Sequence, residues 1–460
     1  MTQPRAQFSS SFGFLMVASG SAIGLGNIWG FPTQAANNGG GAFVLAYLVL
    51  AFLLAYPALM AELIIGRHSN TNIVSALGQL SPSPMTKRLG TGLGFVGVIT
   101  ASLILSFYAI VAGWMLAKCL QPLAALLGAD TAAQWLSRDG IGRDLSLCLA
   151  FSVWTCWIVA QGINKGIESW ARKLMPALLL ILLALIAYVF TQTGSTAGLR
   201  VYLVPDFSRL SDPALLLGAM GQSFFSLSLG VGTMLIYGSY LGKTLAREQS
   251  PHKAYRDKLP RLGAIVTLMD SGFAFLAGLL IVPALYVAQA QGLEIFAADG
   301  KLMAGPSIVM QVLPNLFATM GTAGQWVSLS FFALLTIAAI TSSISMLEVP
   351  VSVVTERTGL KRPRAALIIS SLIFAMSAFI VFNFDQMFDA VIALSTRYSE
   401  PFMGLVLCLF AGWILHRDKK LMQLRDAQGL TQSWFWRIWP FYARFLCPLF
   451  IVLMFVQSLR

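Results

Sequence analysis

The sequence predicts an all-α polytopic membrane protein, and three observations carry that reading. Hydrophobic residues make up 57% of the 460, charged residues only 11%, and mean hydropathy is +0.74, a composition foreign to soluble domains. Apolar stretches of bilayer-crossing length recur: a window of about 19 residues gives eleven spans. They lie approximately at 12–36, 41–66, 91–117, 145–163, 167–191, 213–241, 261–288, 325–355, 365–382, 386–414 and 438–458. Finally, the basic residues are placed asymmetrically. Most fall at Arg5, near 67–88, 165–173, 243–261, 357–364 and 417–444, all on one side of an eleven-span path. That bias predicts a multi-pass inner (plasma) membrane protein with a cytoplasmic N-terminus and an external C-terminus. The formal charge of +12 is therefore a topology signal and implies no nucleic-acid partner.

The first eleven residues are polar and lead directly into the first span, so that span is expected to persist without a cleavable signal. Its middle, Ser19 to Pro32, reads SGSAIGLGNIWGFP. Glycines there let the backbone leave helical geometry, and in hydrocarbon every freed N–H and C=O needs a partner. Such a stretch must line a cavity or bind something: carbonyls suit a small cation, and a new helix start suits an anionic group. A second interruption, Ser226-Leu-Ser-Leu-Gly-Val-Gly232, comes five helices later. The chain is thus one transmembrane domain (1–460) of two five-helix halves, 12–191 and 213–414, plus an extra helix at 438–458. An odd number of spans per half inverts the second copy, so the first and sixth helices would be discontinuous and meet at the midplane. Loops are short except 118–144 and 289–324, and the latter, with Gly305-Pro306 and Pro314, is a candidate lid.

Other chemistry is poorly supported. The five cysteines are scattered without CxxC spacing and read as small core residues. The three histidines, His68, His252 and His416, sit in separate loops and make no metal cluster. Gly92-Leu-Gly94-Phe-Val-Gly97 satisfies GxGxxG, yet no strand precedes it and it opens an apolar run, so helix packing explains it better than dinucleotide binding.

The first-span segment together with Asn38-Gly-Gly-Gly-Ala-Phe43 resembles the neurotransmitter:sodium symporter family, and the likeness runs from about Arg5 to Trp413. The resemblance implies two sodium sites. One would use the Ala22 carbonyl, Asn27, Ser226 and Asp270, with the substrate carboxylate as a further ligand. The other would use the carbonyls of Gly20, Ile23 and Ala338 with the hydroxyls of Thr341 and Ser342. Oxygen donors suit sodium. Isolated Ser and Thr usually back-bond to their own helix, but here they cluster with matching partners.

Family members that carry amines have aspartate at the position of Gly24, so its glycine implies an amino acid with a free carboxylate. Two unit charges about 4 Å apart at an effective dielectric near 20 are worth about 4 kcal/mol, or about a thousandfold. By the same resemblance the carboxylate would lie along Ala22, Gly24 and Gly26 near Ser226 and Ser342, bonded by Tyr108 and covered by Phe225. The side-chain pocket would be lined by Leu25, Ile104, Val111, Ser228, Val231, Ser345 and Met346. That lining is apolar and favours a large neutral guest. The expected partners are this small molecule, sodium and the lipid bilayer, with no cofactor.

Asp270 stands where the family usually has asparagine, and its fixed charge predicts that no chloride is needed; pairing with another polar group is the plainer alternative. Arg5 and Glu356 match an inner gate pair, with Tyr240 nearby. At the outer gate the family arginine is Gly30 here, which orphans Asp385. Glu62 and Glu400 resemble a buried acidic pair, with Arg397 one turn from Glu400. Gly166 and Pro176 match a glycine-x9-proline spacing that would let the fifth span unwind, or else mark an ordinary kink. The reading is a sodium-coupled importer, not an enzyme. A membrane amino-acid sensor that does not transport, and a proton-coupled permease, are the alternatives.

Overall fold

The computed structural model describes residues 5–81, 83–242, 247–250, 253–298, 300–303, 308–415 and 434–458. Gly305-Pro306, His252, His416 and the basic stretches 243–246 and 416–433 lie outside the described residues. Helices dominate; the described strands are Arg247–Ser250 and Lys253–Asp257, which pair antiparallel as a short hairpin. Eight described helices are long and apolar enough to cross a membrane, and the bent pair Ser11–Ala22 and Gly26–Asn37 makes a ninth. The chain is thus a polytopic, multi-pass membrane protein.

The remaining two expected spans are also helical. One is interrupted, Pro213–Ser226 followed by Thr233–Ser239. The other covers 384–414 and carries Arg397 and Glu400 within its apolar run. Several helices outrun the apolar windows that announced them. The third covers Pro84–Leu126, because Ser83 and Thr86 form a capping box well before the apolar run begins. The eighth covers Gly321–Thr358 and ends at Gly359, whose φ is +71°.

Small residues set the closest approaches between helices. A Cβ on Gly66 would lie 1.8 Å from the Leu235 carbonyl oxygen, and one on Gly238 would lie 2.5 Å from that of Leu63. The second helix, Gly41–Ser69, and Thr233–Ser239 therefore touch backbone to backbone at two levels. The GxGxxG run packs similarly: a Cβ on Gly94 would meet the Val74 Cα at 2.5 Å, and one on Gly97 would meet the Ile73 side chain. Gly94 and Gly97 thus serve contact with the short helix Ile73–Leu80, while Gly92 faces open space. Of the cysteines, Cys148, Cys408 and Cys447 are buried and all five are free thiols.

Gly66→Ala forces a methyl group into the Leu235 carbonyl, so it should cost about 1–3 kcal/mol. A lowered midpoint in a thermal-unfolding assay of the detergent-purified protein checks this.

Candidate functional site

The first helix stops at Ala22 because Ile23 turns extended, with ψ 99°. The two halves meet at 59°. Ile23 and Gly24 carry the bend, and Asn27 repairs it: its Oδ1 accepts from the Gly24 amide at 3.1 Å. A side chain at Gly24 has little room, since a Cβ would lie 3.2 Å from Ser342 Oγ and 3.5 Å from the Tyr108 hydroxyl. The Leu25 amide also faces that hydroxyl, at 3.5 Å. Gly26 lies under Phe225, whose ring would be 2.9 Å from a Cβ there.

The second interruption turns on left-handed residues: Ser228 has φ 51°, Gly230 φ 85° and Gly232 φ 83°. The Ser228 hydroxyl donates to the Ser21 carbonyl at 3.1 Å, which ties the two interruptions directly together. The Gly230 amide donates to Glu62 Oε1 at 2.7 Å. A Cβ on Gly230 would lie 2.1 Å from the Glu400 carbonyl oxygen, so Glu62 and Glu400 share this turn. Glu62 Oε2 and Glu400 Oε2 are buried without a hydrogen-bond partner among the described residues.

Beside the two breaks lies a buried polar cluster. Asn27 Nδ2 donates to Ser226 Oγ at 2.8 Å and to Asp270 Oδ1 at 2.7 Å. Ser226 Oγ donates to Asp270 Oδ2 at 2.7 Å, and the Tyr47 hydroxyl lies 3.3 Å from Ser226 Oγ and 3.4 Å from Asp270 Oδ2. Asp270, 1% exposed, is thus surrounded by donors from three other segments. The Asp270 carboxylate and the Ser226 hydroxyl offer oxygens of the kind hard cations take, while Asn27 turns its Nδ2 to them and its Oδ1 to the Gly24 amide. On the other side of the first break, Ser342 Oγ is 3.4 Å from the Ile23 carbonyl, and Thr341 Oγ1 is 3.0 Å from that of Ala338. A Cβ on Gly20 would lie 3.3 Å from the Thr341 Cβ and 3.1 Å from Met175 Sδ. Ala22, Leu25, Ile104, Val111, Val231, Ser345 and Met346 are all buried. The Ser345 hydroxyl is already engaged, 2.6 Å from that of Tyr237 and 3.0 Å from the Thr341 carbonyl.

The two ends of the bundle differ. At the end where the chain enters, Arg5 pairs with Glu356, donates to Ser239 Oγ at 2.7 Å and stacks over the Tyr240 ring at 4.7 Å. Glu356 also accepts from Thr71 Oγ1 at 2.9 Å and Asn72 Nδ2 at 2.7 Å. Phe8 seals the space between, packed on Phe14, Tyr237 and Tyr240. The opposite end is open as a cavity of about 670 Å³, lined by Gln34, Asn38, Phe225, Lys301, Arg397 and Glu400 among others. Phe225, 46% exposed, stands at its floor. Gly30 faces Gln222, whose Oε1 would be 3.6 Å from a Cβ there. Asp385 is exposed on the helix start and does not line this cavity, so the structure does not join it to the Gly30 region.

Several participants escape sequence reasoning. Glu348 is buried, bonded by Arg362 and by the Tyr240 hydroxyl at 2.5 Å, while Arg362 Nε donates to the Val159 carbonyl at 2.8 Å. The spacing Glu348, Glu356 places both carboxylates on one helix, but nothing in the sequence names Arg362 as partner. At the open end Asn37 pairs with both backbone groups of Leu302, at 3.1 and 2.9 Å, and so pins the candidate lid to the first helix.

A polytopic helical protein with two facing interrupted helices, an acid–amide–hydroxyl cluster between them and one open vestibule has the form of a membrane transporter. The chain belongs to the Sodium:neurotransmitter symporter family, whose pattern matches residues 5–142 and 136–460. It is 31% identical to the uncharacterized sodium-dependent transporter YhdH of Bacillus subtilis over 471 residues, covering 99% of this chain and 98% of that one. The crystal structure of MhsT in complex with L-phenylalanine is similar, with TM-score 0.79 and 33% identity over 99% of this chain and 100% of that chain. The bovine sodium- and chloride-dependent taurine transporter is 27% identical over 72% of this chain and 57% of its own length.

Asp270→Ala would leave Asn27, Ser226 and Tyr47 without their common acceptor, at a cost of about 1–3 kcal/mol for each stranded group. Asp270→Asn, which keeps an acceptor oxygen, should lose less. Thermal unfolding of the two variants in sodium-free detergent buffer checks the order.

Proposed function

We propose that the protein is a sodium-coupled symporter that imports neutral L-amino acids with large aliphatic or aromatic side chains by alternating access. The observation that carries this reading is the meeting of the two interrupted helices around Asn27, Ser226 and Asp270. Sodium at that cluster would be shared with the substrate carboxylate, held along Gly24 to Gly26 beside Tyr108. Each ligand then stabilises the other, as linkage requires. A second sodium would rest on the carbonyls of Gly20, Ile23 and Ala338 with Thr341 and Ser342, and its departure inward, aided by unwinding at Gly166 and Pro176, would release the substrate. The related MhsT was crystallised with L-phenylalanine, a guest of the kind that the apolar pocket lining favours here.

The two halves, 12–191 and 213–414, would be inverted repeats that rock about the fixed site. In this reading the Arg5–Glu356 end is cytoplasmic and closed and the vestibule faces outside. With no arginine at Gly30, outer closure would rest on Tyr108 and Phe225. Asp270 supplies the negative charge that an added anion would otherwise bring, so transport should not need chloride.

Purified protein in liposomes with an inward sodium gradient should accumulate radiolabelled phenylalanine or leucine above equilibrium. Uptake should vanish with choline in place of sodium at constant pH and stay unchanged with gluconate in place of chloride. Sodium-dependent binding without accumulation would make the protein a sensor, and uptake driven by a pH gradient alone would make it a proton-coupled permease. A preference for glycine or lysine would overturn the pocket assignment.

Gly24→Asp sets a second carboxylate against that of the substrate beside Ser342 and Tyr108. Amino-acid affinity should fall about a thousandfold, by the charge energy given above. Scintillation-proximity binding in saturating sodium measures it.

A further inference from the structure

Glu168 is a buried carboxylate, 1% exposed, in the wide turn Ile163–Glu168 that opens the fifth helix. Its partners come from the start of the chain. The Ser9 amide donates to Oε2 at 2.8 Å, the Ser9 hydroxyl donates to Oε1, and the Ser10 hydroxyl lies 3.5 Å from Oε1. Ser10 is itself the N-cap of Ser11–Ala22 and accepts from the Gly13 amide at 2.9 Å. Gly13 makes the space: a Cβ there would lie 1.8 Å from Glu168 Oε1. The carboxylate is therefore docked on the positive end of the first half-helix, and no larger residue at 13 would admit it.

What hangs on that half-helix is its far end, where Gly20 and the Ile23 carbonyl face Thr341 and Ser342. Two turns after Glu168, Met175 packs on Gly20, so the fifth helix touches the half-helix at both its ends. Two residues before Glu168, Gly166 lies directly on the fourth helix, since a Cβ there would be 2.1 Å from the Ile158 carbonyl oxygen. The turn has a firm seat on one side and holds the half-helix on the other.

We propose that Glu168 is a positioning residue that latches the first half-helix to the fifth helix, so that the closed inner end opens only when Glu168 releases Ser9. The proposal rests on the reading of Gly20, Ile23, Thr341 and Ser342 as the second sodium site. Glu168 does not reach the ion; it holds the backbone that does. Unwinding of the fifth helix at Gly166 would withdraw the carboxylate, free the half-helix and weaken sodium in a single motion.

Glu168→Ala removes the acceptor, and Gly13→Ala expels it from the other side. Hydrogen–deuterium exchange of the purified protein without sodium or substrate should show faster exchange across residues 8–23 in both variants. The sodium concentration for half-maximal amino-acid binding should rise about tenfold, as expected on losing charge-assisted hydrogen bonds, with amino-acid affinity at saturating sodium little changed. The double variant should be no worse than either single one, because both break the same contact. If Glu168→Ala does not purify, Glu168→Gln, which keeps one acceptor oxygen, should give smaller shifts in the same direction. Wild-type exchange and sodium dependence in the Glu168 variants, or additive effects in the double variant, would overturn the latch. Exchange is read without ions, so a protein indifferent to sodium would refute the transport reading while leaving the latch to be decided.

Discussion

Every peptide group in a membrane interior needs a partner, and this chain breaks two helices there. The rest of the structure follows from how the loose ends are satisfied. Asn27 takes up the Gly24 amide, Ser228 reaches back to the Ser21 carbonyl, and Glu62 holds the Gly230 amide. The first repair is local, three residues along the chain, while the other two use side chains more than 160 residues away, so they form only once the bundle has assembled. The Ile23 carbonyl is met by the Ser342 hydroxyl, at 3.4 Å, and in the proposed reading that pair belongs to the second sodium site.

Charge is treated with matching economy. Asp270 is met by an amide and two hydroxyls, and Glu348 by a guanidinium and a phenol, so both buried carboxylates are surrounded by donors. Glu62 and Glu400 contrast with them, since each keeps one oxygen without a hydrogen-bond partner among the described residues. They flank the left-handed turn at Gly230, which Glu62 bonds and the Glu400 backbone closes over.

Much of this was legible in the residues. Glycine and serine clustered inside apolar runs located both breaks, since the backbone groups freed there need partners at that depth. Asn27, Ser226 and Asp270 were legible through family likeness as one site, and they meet. The boundaries of the long helices were not, since capping and glycine stops act outside the apolar window. Glu168, Glu348 and Arg362 carry no mark in the sequence. Each has a partner more than a hundred residues away, at Ser9, Tyr240 and Val159, which a linear pattern does not encode. Asp385, orphaned by Gly30 in the sequence reading, stays exposed.

The glycine contacts between Gly66 and Leu235, and between Gly238 and Leu63, bring main chain against main chain with no side chains between. Contacts that close leave no side chain to repack, so parting the two helices would open a void at both levels. The second helix and the latter half of the sixth are thereby held as one unit. The first half-helix has no such seam: the Phe8 amide on the Tyr240 carbonyl and the side chains of Glu168, Met175 and Ser228 hold it at separate points, so it is the piece whose ties can be undone one by one.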